Sequence, residues 1–151
     1  MTPEVRFGEP GDLEFIMNLE RDSLALPWSA GALSELLGHD PESSDDVFKF
    51  SLVIDGIGYI GVSVVIDEAE IGNIVIAPEC RGRGYGYILL KALEDKLASR
   101  GVKKIFLEVE STNAGALALY HKCGYAGYGS RKDYYGAGRD ALLMSKDIVS
   151  G

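Results

Sequence analysis

The sequence predicts an α+β fold with a mixed, mostly antiparallel sheet that carries helices on both faces. Apolar residues alternate with polar or small ones in the middle of the chain, as in half-buried strands. Before and after this region they recur at helical spacing. The 151 residues, 46% of them hydrophobic, match one ordinary domain with a real core, so we expect a single domain over residues 1–151.

The first predicted elements are a short strand and two helices. Residues 5–8 form the strand, and residues 12–24 form a helix with Glu20 among the apolar positions of its stripe. Ser29 is a suitable N-cap for a second, short helix. The apolar face of that helix consists of Leu33, Leu36 and Leu37. Residues 39–46 are polar and predict a surface loop.

Three strands then form an antiparallel meander. Residues 47–54 alternate with period two, Asp55-Gly56 turns the chain, and two further β-rich runs cover residues 57–66 and 71–76. The connection Asp67-Glu68-Ala69 is short enough for a hairpin turn.

The C-terminal half alternates between helix and strand. A glycine-rich segment opens a helix that Gly101 ends, and residues 103–110 (KKIFLEVE) form a strand. Asn113 caps a further helix that continues through Tyr120 to Gly124. Residues 125–135 and 140–146 form a closing pair of strands.

Composition excludes several classes of function. No apolar run approaches the ~20 residues of a membrane-spanning helix, and the N-terminus lacks a secretory signal, so we expect a cytoplasmic protein without membrane contact. Cys80 and Cys123 are too few for a disulfide framework, and no metal-ligand spacing is present. A formal charge of -8 disfavours nucleic acid and suits a basic peptide or amine.

The segment Arg81-Gly82-Arg83-Gly84-Tyr85-Gly86 leads from a predicted strand into a predicted helix, as in a phosphate site. Glycines let the backbone approach an anion closely, and unpaired N–H groups at a helix start point toward it. Arg81 and Arg83 add charge-assisted hydrogen bonds to a pyrophosphate or a ribose phosphate. The alternative is a glycine-rich hinge with two solvated arginines.

Two common phosphate motifs do not fit this loop. A P-loop requires Gly-Lys-Ser/Thr where the chain has Gly86-Tyr87-Ile88, and Tyr87 replaces the third glycine of the dinucleotide pattern GxGxxG. The loop also follows the third strand of a meander, whereas a dinucleotide fold places it after the first strand of a βαβ unit.

The run Ile74-Val75-Ile76-Ala77-Pro78, the glycine loop after it, Asn113 and Ala118-Leu119-Tyr120 together resemble the GNAT superfamily of N-acetyltransferases. The loop matches that family's pattern Gln/Arg-x-x-Gly-x-Gly/Ala. The resemblance implies an acyl-CoA N-acyltransferase fold, acetyl-CoA as co-substrate and an amine as acceptor. It implies that the backbone of Ile74, Val75 and Ile76 binds the pantetheine arm and the acetyl carbonyl. It assigns the rest of the coenzyme to Arg81, Gly82, Arg83, Gly84, Tyr85, Gly86, Tyr87 and Asn113.

Within that family the chain is similar to the ribosomal-protein alanine N-acetyltransferase (RimI) branch. The similarity is carried by Pro27-Trp28-Ser29, Asp67-Glu68-Ala69, Asn73-Ile74, Leu107-Glu108-Val109, Ser111-Thr112-Asn113, Gly124-Tyr125, and Arg131 with Tyr134-Tyr135. One position differs, because Glu110 stands where the branch often carries a basic residue. The acceptor therefore stays open between a protein N-terminus and a small amine such as a polyamine or an amino sugar.

Acetyl transfer to an amine needs a base for the ammonium proton and an acid for the departing thiolate. Glu108 lies on a strand face with Phe106 and Glu110, where a carboxylate can serve as the base or be a solvated surface group. Tyr120 sits in a helix of small residues, where its phenol can protonate sulfur or be an aromatic core residue. The resemblance assigns Glu108 as the base and Tyr120 as the acid.

Three aromatic residues, Trp28, Tyr134 and Tyr135, are candidates to line the acceptor groove, with core packing as the alternative. Neither cysteine has a histidine neighbour that would make it a nucleophile for covalent catalysis. Two non-enzymatic alternatives remain. One is a regulatory module that binds acyl-CoA without turnover, and the other is an α+β binding domain without a cofactor.

Overall fold

The computed structural model describes residues 2–24, 27–40, 43 and 45–148. The helices are α1 (Leu13–Ser23), α2 (Ala30–Ser34), α3 (Tyr85–Ser99) and α4 (Ala114–Lys122). The strands are β1 (Arg6–Phe7), β2 (Val47–Ile54), β3 (Gly58–Val65), β4 (Glu68–Ile76), β5 (Lys104–Glu110), β6 (Ala126–Arg131) and β7 (Ala141–Asp147). Short 3-10 turns, Pro10–Asp12 and Pro78–Cys80, precede α1 and the glycine loop.

The strands form one seven-stranded sheet in the order β1-β2-β3-β4-β5-β7-β6. Neighbouring strands are antiparallel except β4 and β5, which are parallel. The predicted meander is β2-β3-β4, and the predicted closing pair is β6-β7, with β7 inserted next to β5. The prediction of a mixed, mostly antiparallel sheet is confirmed.

Helices cover both faces of the sheet, as predicted. On one face the leucines of α3 pack with Tyr120 of α4 against Leu52 and Ile54 of β2. On the other face α1 and α2 pack against Val53, which points away from its neighbours Leu52 and Ile54 because side chains alternate along a strand. Each fully buried leucine contributes roughly 1.5–3 kcal/mol of hydrophobic stabilisation, so α3 is fixed firmly under the sheet. The fully buried leucines of α3 are Leu89, Leu90, Leu93 and Leu97.

The hairpin between β3 and β4 is tighter than predicted. Its turn is Ile66 and Asp67, so Glu68 and Ala69 belong to β4 and pair with Val65 and Val64. Ile66 adopts a φ of 59°, which a two-residue hairpin with the right twist requires. The assignment of Glu68 and Ala69 to the connection was therefore wrong.

Two other predicted elements are shorter in the structure. The second helix ends at Ser34, although Leu36 in the following turn is still buried. The sixth strand ends at Arg131, and Tyr134 and Tyr135 lie in the connection to β7. That connection is closed by Asp133, whose N–H donates to Asp140 at 2.9 Å and whose carboxylate accepts from the Gly138 N–H at 2.7 Å.

The predicted helix caps are confirmed. Ser29 Oγ accepts from the Ala32 N–H at 3.1 Å, and Asn113 Oδ1 accepts from the Ala116 N–H at 3.1 Å. Gly101 and Gly124 have φ values of 81° and 91°, the left-handed conformation in which helices commonly end. Among the described residues, no helix has the length and apolarity needed to cross a membrane.

Candidate active site

The parallel strands β4 and β5 separate partway along their length. They pair from Glu68 opposite Lys104 to Ile71 opposite Leu107, and β4 then continues to Ile76 without β5 as a partner. The backbone groups on that side of β4 are left open for another molecule, because an extended strand directs half of its N–H and C=O groups to each side.

A β-bulge marks the point of separation. Gly61 pairs with Asn73 and Val62 with Ile71, so Gly72 is an extra residue on β4 without a partner on β3. A bulge bends its strand and increases the local twist. The bulge at Gly72 therefore accounts for the divergence of β4 from β5.

The hydrogen-bond pattern shows which backbone groups face the opening. The Ala77 N–H donates at 2.7 Å to the carbonyl of Ile57, the residue before β3, so Val75, two residues earlier, also directs its backbone groups toward β3. Ile74 and Ile76 have the opposite parity and face the opening. The carbonyl of Ile76 accepts a hydrogen bond from Arg81 Nε at 3.1 Å. Of the three predicted backbone residues, Ile74 and Ile76 are thus suited to bind an extended ligand.

The glycines of the loop have different structural roles. Gly82 and Gly84 have φ values of 76° and 85°, and an added Cβ at either would meet no atom within 4 Å. Backbone conformation rather than space therefore favours glycine at these two positions. At Gly86, an added Cβ would lie 3.2 Å from Leu119 Cδ2, so this glycine allows α3 to approach α4 closely.

The backbone amides of the loop form an unfilled set of donors. In the part of the chain that the structure describes, no N–H from residue 82 to residue 87 donates a hydrogen bond to a protein acceptor. Six consecutive amides at the start of the 15-residue helix α3 match the needs of a diphosphate. Arg83 is exposed beside them.

Lys122 adds a cation near this loop that was not predicted from the sequence. Its Nζ lies 4.7 Å from the ring centroid of Tyr87. Arg81, Arg83 and Lys122 therefore make this region positive in a chain of net charge -8. A polyanion is the type of ligand that this charge pattern attracts.

Glu108 lies on the strand face predicted for it, opposite the buried Leu107 and Val109. Its side chain is 25% exposed, and Arg131 Nη1 lies 3.6 Å from its Oε1. A cavity of about 150 Å³ adjoins the carboxylate. It is lined by Glu70, Phe106, Leu107, Glu108, Tyr128, Arg131 and Leu143. The Glu108 carboxylate is therefore accessible from this cavity.

Glu110, two residues further on, has other partners. It accepts a hydrogen bond from Arg139 at 2.5 Å and another from Thr112. These two hydrogen bonds hold the pKa of the Glu110 carboxyl below its ordinary value, and the bond from Arg139 has the larger effect. Glu110 thus ties the connection between β6 and β7 to β5, which leaves Glu108 as the better placed base.

Tyr120 is 4% exposed and lies on α4 beneath the sheet. Burial, followed by the electrostatic effects of Tyr135 and Cys123, raises the pKa of its phenol above the ordinary value. Among the described residues, no group forms a hydrogen bond with its hydroxyl. A protonated, unengaged phenol has the state that a proton donor requires.

Tyr135 connects the two predicted catalytic residues. Burial and then the negative charge of Glu108 raise the pKa of its phenol, and Tyr135 in turn raises the pKa of Tyr120. Tyr135, in the connection between β6 and β7, thus has an electrostatic effect on Tyr120 of α4 and is itself affected by Glu108 of β5.

The three predicted groove residues are exposed aromatic side chains. Trp28, Tyr134 and Tyr135 are 39%, 52% and 38% exposed, so none of them is a core residue. An added Cβ at Gly72 would lie 2.6 Å from Trp28 Cη2, so the indole packs directly on the bulge. Trp28 stands on the β4 side of the opening, and the two tyrosines stand on the side of β6 and β7.

Two further residues considered in the sequence are Asn113, as a coenzyme contact, and Cys123, as a nucleophile. The side-chain oxygen of Asn113 caps α4, and its amide nitrogen makes no hydrogen bond within the described residues. Burial raises the pKa of the Cys123 thiol, so this cysteine is not an activated nucleophile. Within the described part of the chain, no group of three His, Cys, Asp or Glu side chains is arranged to hold a metal.

The chain is similar to known proteins both in sequence and in structure. The family model described as acetyltransferase (GNAT) family matches residues 13–125. The ribosomal protein bS18-alanine N-acetyltransferase of Escherichia coli (strain K12) is 34% identical over 145 residues, covering 93% of this chain and 94% of that protein. The crystal structure of the ribosomal-protein-S18-alanine N-acetyltransferase from Escherichia coli has a TM-score of 0.83 at 30% identity, covering 99% of this chain and 96% of that one.

A polyamine enzyme is also similar in structure. The spermidine/spermine N-acetyltransferase SpeG from Vibrio cholerae has a TM-score of 0.69 at 27% identity, covering 95% of this chain and 91% of that one. Acceptors of two kinds, a protein and a small amine, thus appear among the names of similar proteins.

Proposed function

Because this chain belongs to the acetyltransferase (GNAT) family and is an N-acetyltransferase, we propose that it transfers acetyl from acetyl-CoA to the N-terminal α-amine of a ribosomal protein. The acyl-CoA N-acyltransferase fold predicted from the sequence is confirmed. We place the reaction in the cytoplasm, with residues 1–151 acting as one domain.

One observation carries the proposal. The open side of β4 begins where Ile71 pairs with Leu107, next to Glu108, and runs through Ile74 and Ile76 toward the loop with the unfilled amides of residues 82–87. A ligand with a diphosphate at one end and an acyl thioester at the other matches this arrangement of donors. The amides and cations bind the diphosphate, and the strand edge hydrogen-bonds the amides of the arm.

The chain supplies a proton acceptor and a proton donor at the reacting end. Acetyl-CoA supplies an activated acyl group, and the residues organise the proton transfers around it. Glu108 accepts the proton that the acceptor ammonium must lose, directly or through water. Tyr120 gives its phenolic proton to the departing sulfur, and burial, which raises the pKa of the phenol above its ordinary value of about 10, keeps the group protonated at neutral pH.

An N-terminal acceptor suits a base of this kind. An α-amine has a pKa of about 8 and is partly neutral at pH 7, whereas a lysine amine with a pKa of about 10.4 is not. The partly exposed Glu108 carboxylate, with Arg131 nearby, is sufficient as a base for the first acceptor. The bS18-alanine enzymes, similar over most of their length, supply the specific acceptor class.

The small-amine alternative rests on the similarity to SpeG. Incubation with acetyl-CoA and a panel of amines distinguishes an N-terminal acceptor from a small-amine acceptor. The panel contains peptides that begin with alanine, the same peptides with a blocked N-terminus, spermidine and an amino sugar. Mass spectrometry is expected to find acetylation of the free alanine peptides alone. Acetylated spermidine or amino sugar would instead establish a small-molecule enzyme.

The same experiment tests the non-catalytic alternatives. Calorimetry with acetyl-CoA is expected to show binding, and turnover of any amine excludes a regulatory module. Binding without product from the whole panel would support such a module. Absence of binding would contradict the proposed function altogether.

A further inference from the structure

Glu20 is a charged residue in the core for which the proposed reaction has no use. It lies on α1 and is 0% exposed. Its carboxylate accepts three hydrogen bonds: from the Trp28 N–H at 3.1 Å, from the Tyr59 hydroxyl at 2.9 Å and from Asn73 Nδ2 at 2.9 Å. Among the described residues no cation forms an ion pair with it.

Stability alone does not account for this arrangement. A buried carboxylate loses its hydration, and apolar side chains of similar size commonly serve a core as well or better. Leu19 and Ile16, beside it on α1, are such residues. What an apolar side chain cannot do is hold the backbone amide of Trp28.

The three donors come from three parts of the chain that meet at the active site. Tyr59 is on β3, Asn73 follows the bulge on β4, and Trp28 is in the connection between α1 and α2. The indole of Trp28 rests on Gly72 of that bulge. Glu20 therefore fixes the Trp28 backbone relative to the part of β4 where the strands separate.

We propose that Glu20 is a positioning residue for the acceptor, because its carboxylate holds the Trp28 segment against the bulge of β4 and so fixes one wall of the acceptor groove. This inference rests on the proposed function and extends it to a residue outside the reacting groups. The coenzyme loop at residues 82–87 makes none of these hydrogen bonds, so Glu20 affects acceptor binding selectively.

Glu20→Gln tests the inference with a side chain of nearly the same size. The NH₂ group of a glutamine faces the Trp28 N–H if it replaces Oε1, and it faces both Tyr59 and Asn73 if it replaces Oε2, so at least one hydrogen bond to a charged group is lost. The KM for an alanine peptide is expected to rise about tenfold, whereas the Kd for acetyl-CoA stays within about twofold. Glu20→Asp keeps the charge but shortens the reach, and an intermediate rise is expected.

Tyr59→Phe is the matched control. It removes another hydrogen bond to the same carboxylate but leaves the bond to Trp28. If Glu20 merely stabilises the core, Tyr59→Phe and Glu20→Gln raise the acceptor KM alike. Equal rises in the two variants, at comparable losses of stability, would overturn the proposal.

The single tryptophan of the chain gives a second readout that does not depend on the acceptor. Quenching of Trp28 fluorescence by acrylamide is expected to increase in Glu20→Gln and to stay unchanged in Tyr59→Phe. Unchanged quenching in a folded Glu20→Gln protein would contradict the proposed role of Glu20. Failure of the wild-type protein to acetylate any N-terminus would contradict the proposed function instead, and the fluorescence comparison would still report on Glu20.

Discussion

The ring of Tyr125 meets the ring of Tyr120 edge-on, with centroids 5.8 Å apart. The hydroxyl of Tyr125 donates to Glu94 Oε2 at 3.0 Å, and Lys146 Nζ lies 3.0 Å from the same carboxylate. Tyr125, which supports the ring of Tyr120, is thus itself held by a partly buried ion pair. This support restricts the ring of Tyr120 while its hydroxyl stays unengaged.

Removal of the Tyr120 hydroxyl is expected to slow the chemistry without affecting the binding of the coenzyme. In Tyr120→Phe the departing thiolate loses its proton donor, and kcat is expected to fall about 100-fold. The Kd for acetyl-CoA, measured by calorimetry, is expected to stay within about twofold of the wild type. Tyr59→Phe removes the hydroxyl of another buried tyrosine and is expected to retain kcat. An unchanged rate in Tyr120→Phe would show that another group protonates sulfur.

Glu108→Gln is expected to lower kcat/KM for an alanine peptide about 100-fold near pH 7, because the base is lost. The rate of the variant is expected to rise toward pH 8 as more of the acceptor amine, with a pKa of about 8, becomes neutral by itself. Glu110→Gln is the control on the same strand face, since Glu110 is engaged by Arg139 and Thr112. If both variants lose activity equally, the effect belongs to the local charge and not to Glu108 as a base.

Gly84→Ala is expected to weaken coenzyme binding about 5- to 30-fold, because an alanine at a φ of 85° costs about 1–2 kcal/mol and turns the neighbouring amides away. Asparagine tolerates this conformation better, so Gly84→Asn should lose less affinity. Gly11→Ala is the control, since that site also has open space but no positive φ. Calorimetric affinities in the order wild type, Gly84→Asn, Gly84→Ala check the prediction. Equal affinities would mean that the loop shape does not govern binding.

Stability is expected to fall in alkaline solution above about pH 10. Burial raises the pKa of Tyr59, Tyr120 and Tyr125, and the Glu20 and Glu94 carboxylates add to the rise at Tyr59 and Tyr125. Below the ordinary tyrosine pKa of about 10, both the folded and the unfolded chain keep these protons, so tyrosine ionisation does not reduce the free energy of unfolding. Above it the unfolded chain loses protons first, and the free energy of unfolding falls by up to about 1.4 kcal/mol per pH unit for each tyrosine.

Urea denaturation at pH 8, 9, 10 and 11 measures this dependence. Tyr125→Phe removes one of the three buried phenols and is expected to make the decline above pH 10 about a third shallower. A free energy of unfolding that stays level up to pH 11 would contradict the raised pKa values.

Local patterns in the sequence were sufficient for most of the elements. The period-two runs located β2 and β3, the glycine loop located the start of α3, and Ser29 and Asn113 were identified as caps. These features depend on residues a few positions apart, so a single stretch of chain contains all the information. The hairpin between β3 and β4 was predicted, but its turn was placed too late because Ile66 and Asp67 include no glycine or asparagine to mark it.

Contacts between residues that are far apart in the sequence could not be predicted from such local patterns. The stripe of α1 includes Glu20 among apolar residues, which is the one signal of a buried charge, but Tyr59 and Asn73 are 39 and 53 residues away. Similarly, no local pattern shows that β4 leaves β5 after Ile71, because the register of two strands fixes that point. Arg131 near Glu108 is another contact between distant segments.

The bulge at Gly72 determines what the deletion of one residue from β4 would change. Because one residue is inserted there, Glu68 and Glu70 before it share a side of the sheet with Asn73 and Val75 after it. Deletion of Gly72 would leave Asn73 two positions after Glu70, so a regular strand would keep the same residues on each side of the sheet but would lose the bulge. Without the bend, β4 would continue beside β5 and close the opening at Ile74 and Ile76. The extra residue in β4 therefore serves the separation of the two strands and not the side to which each residue points.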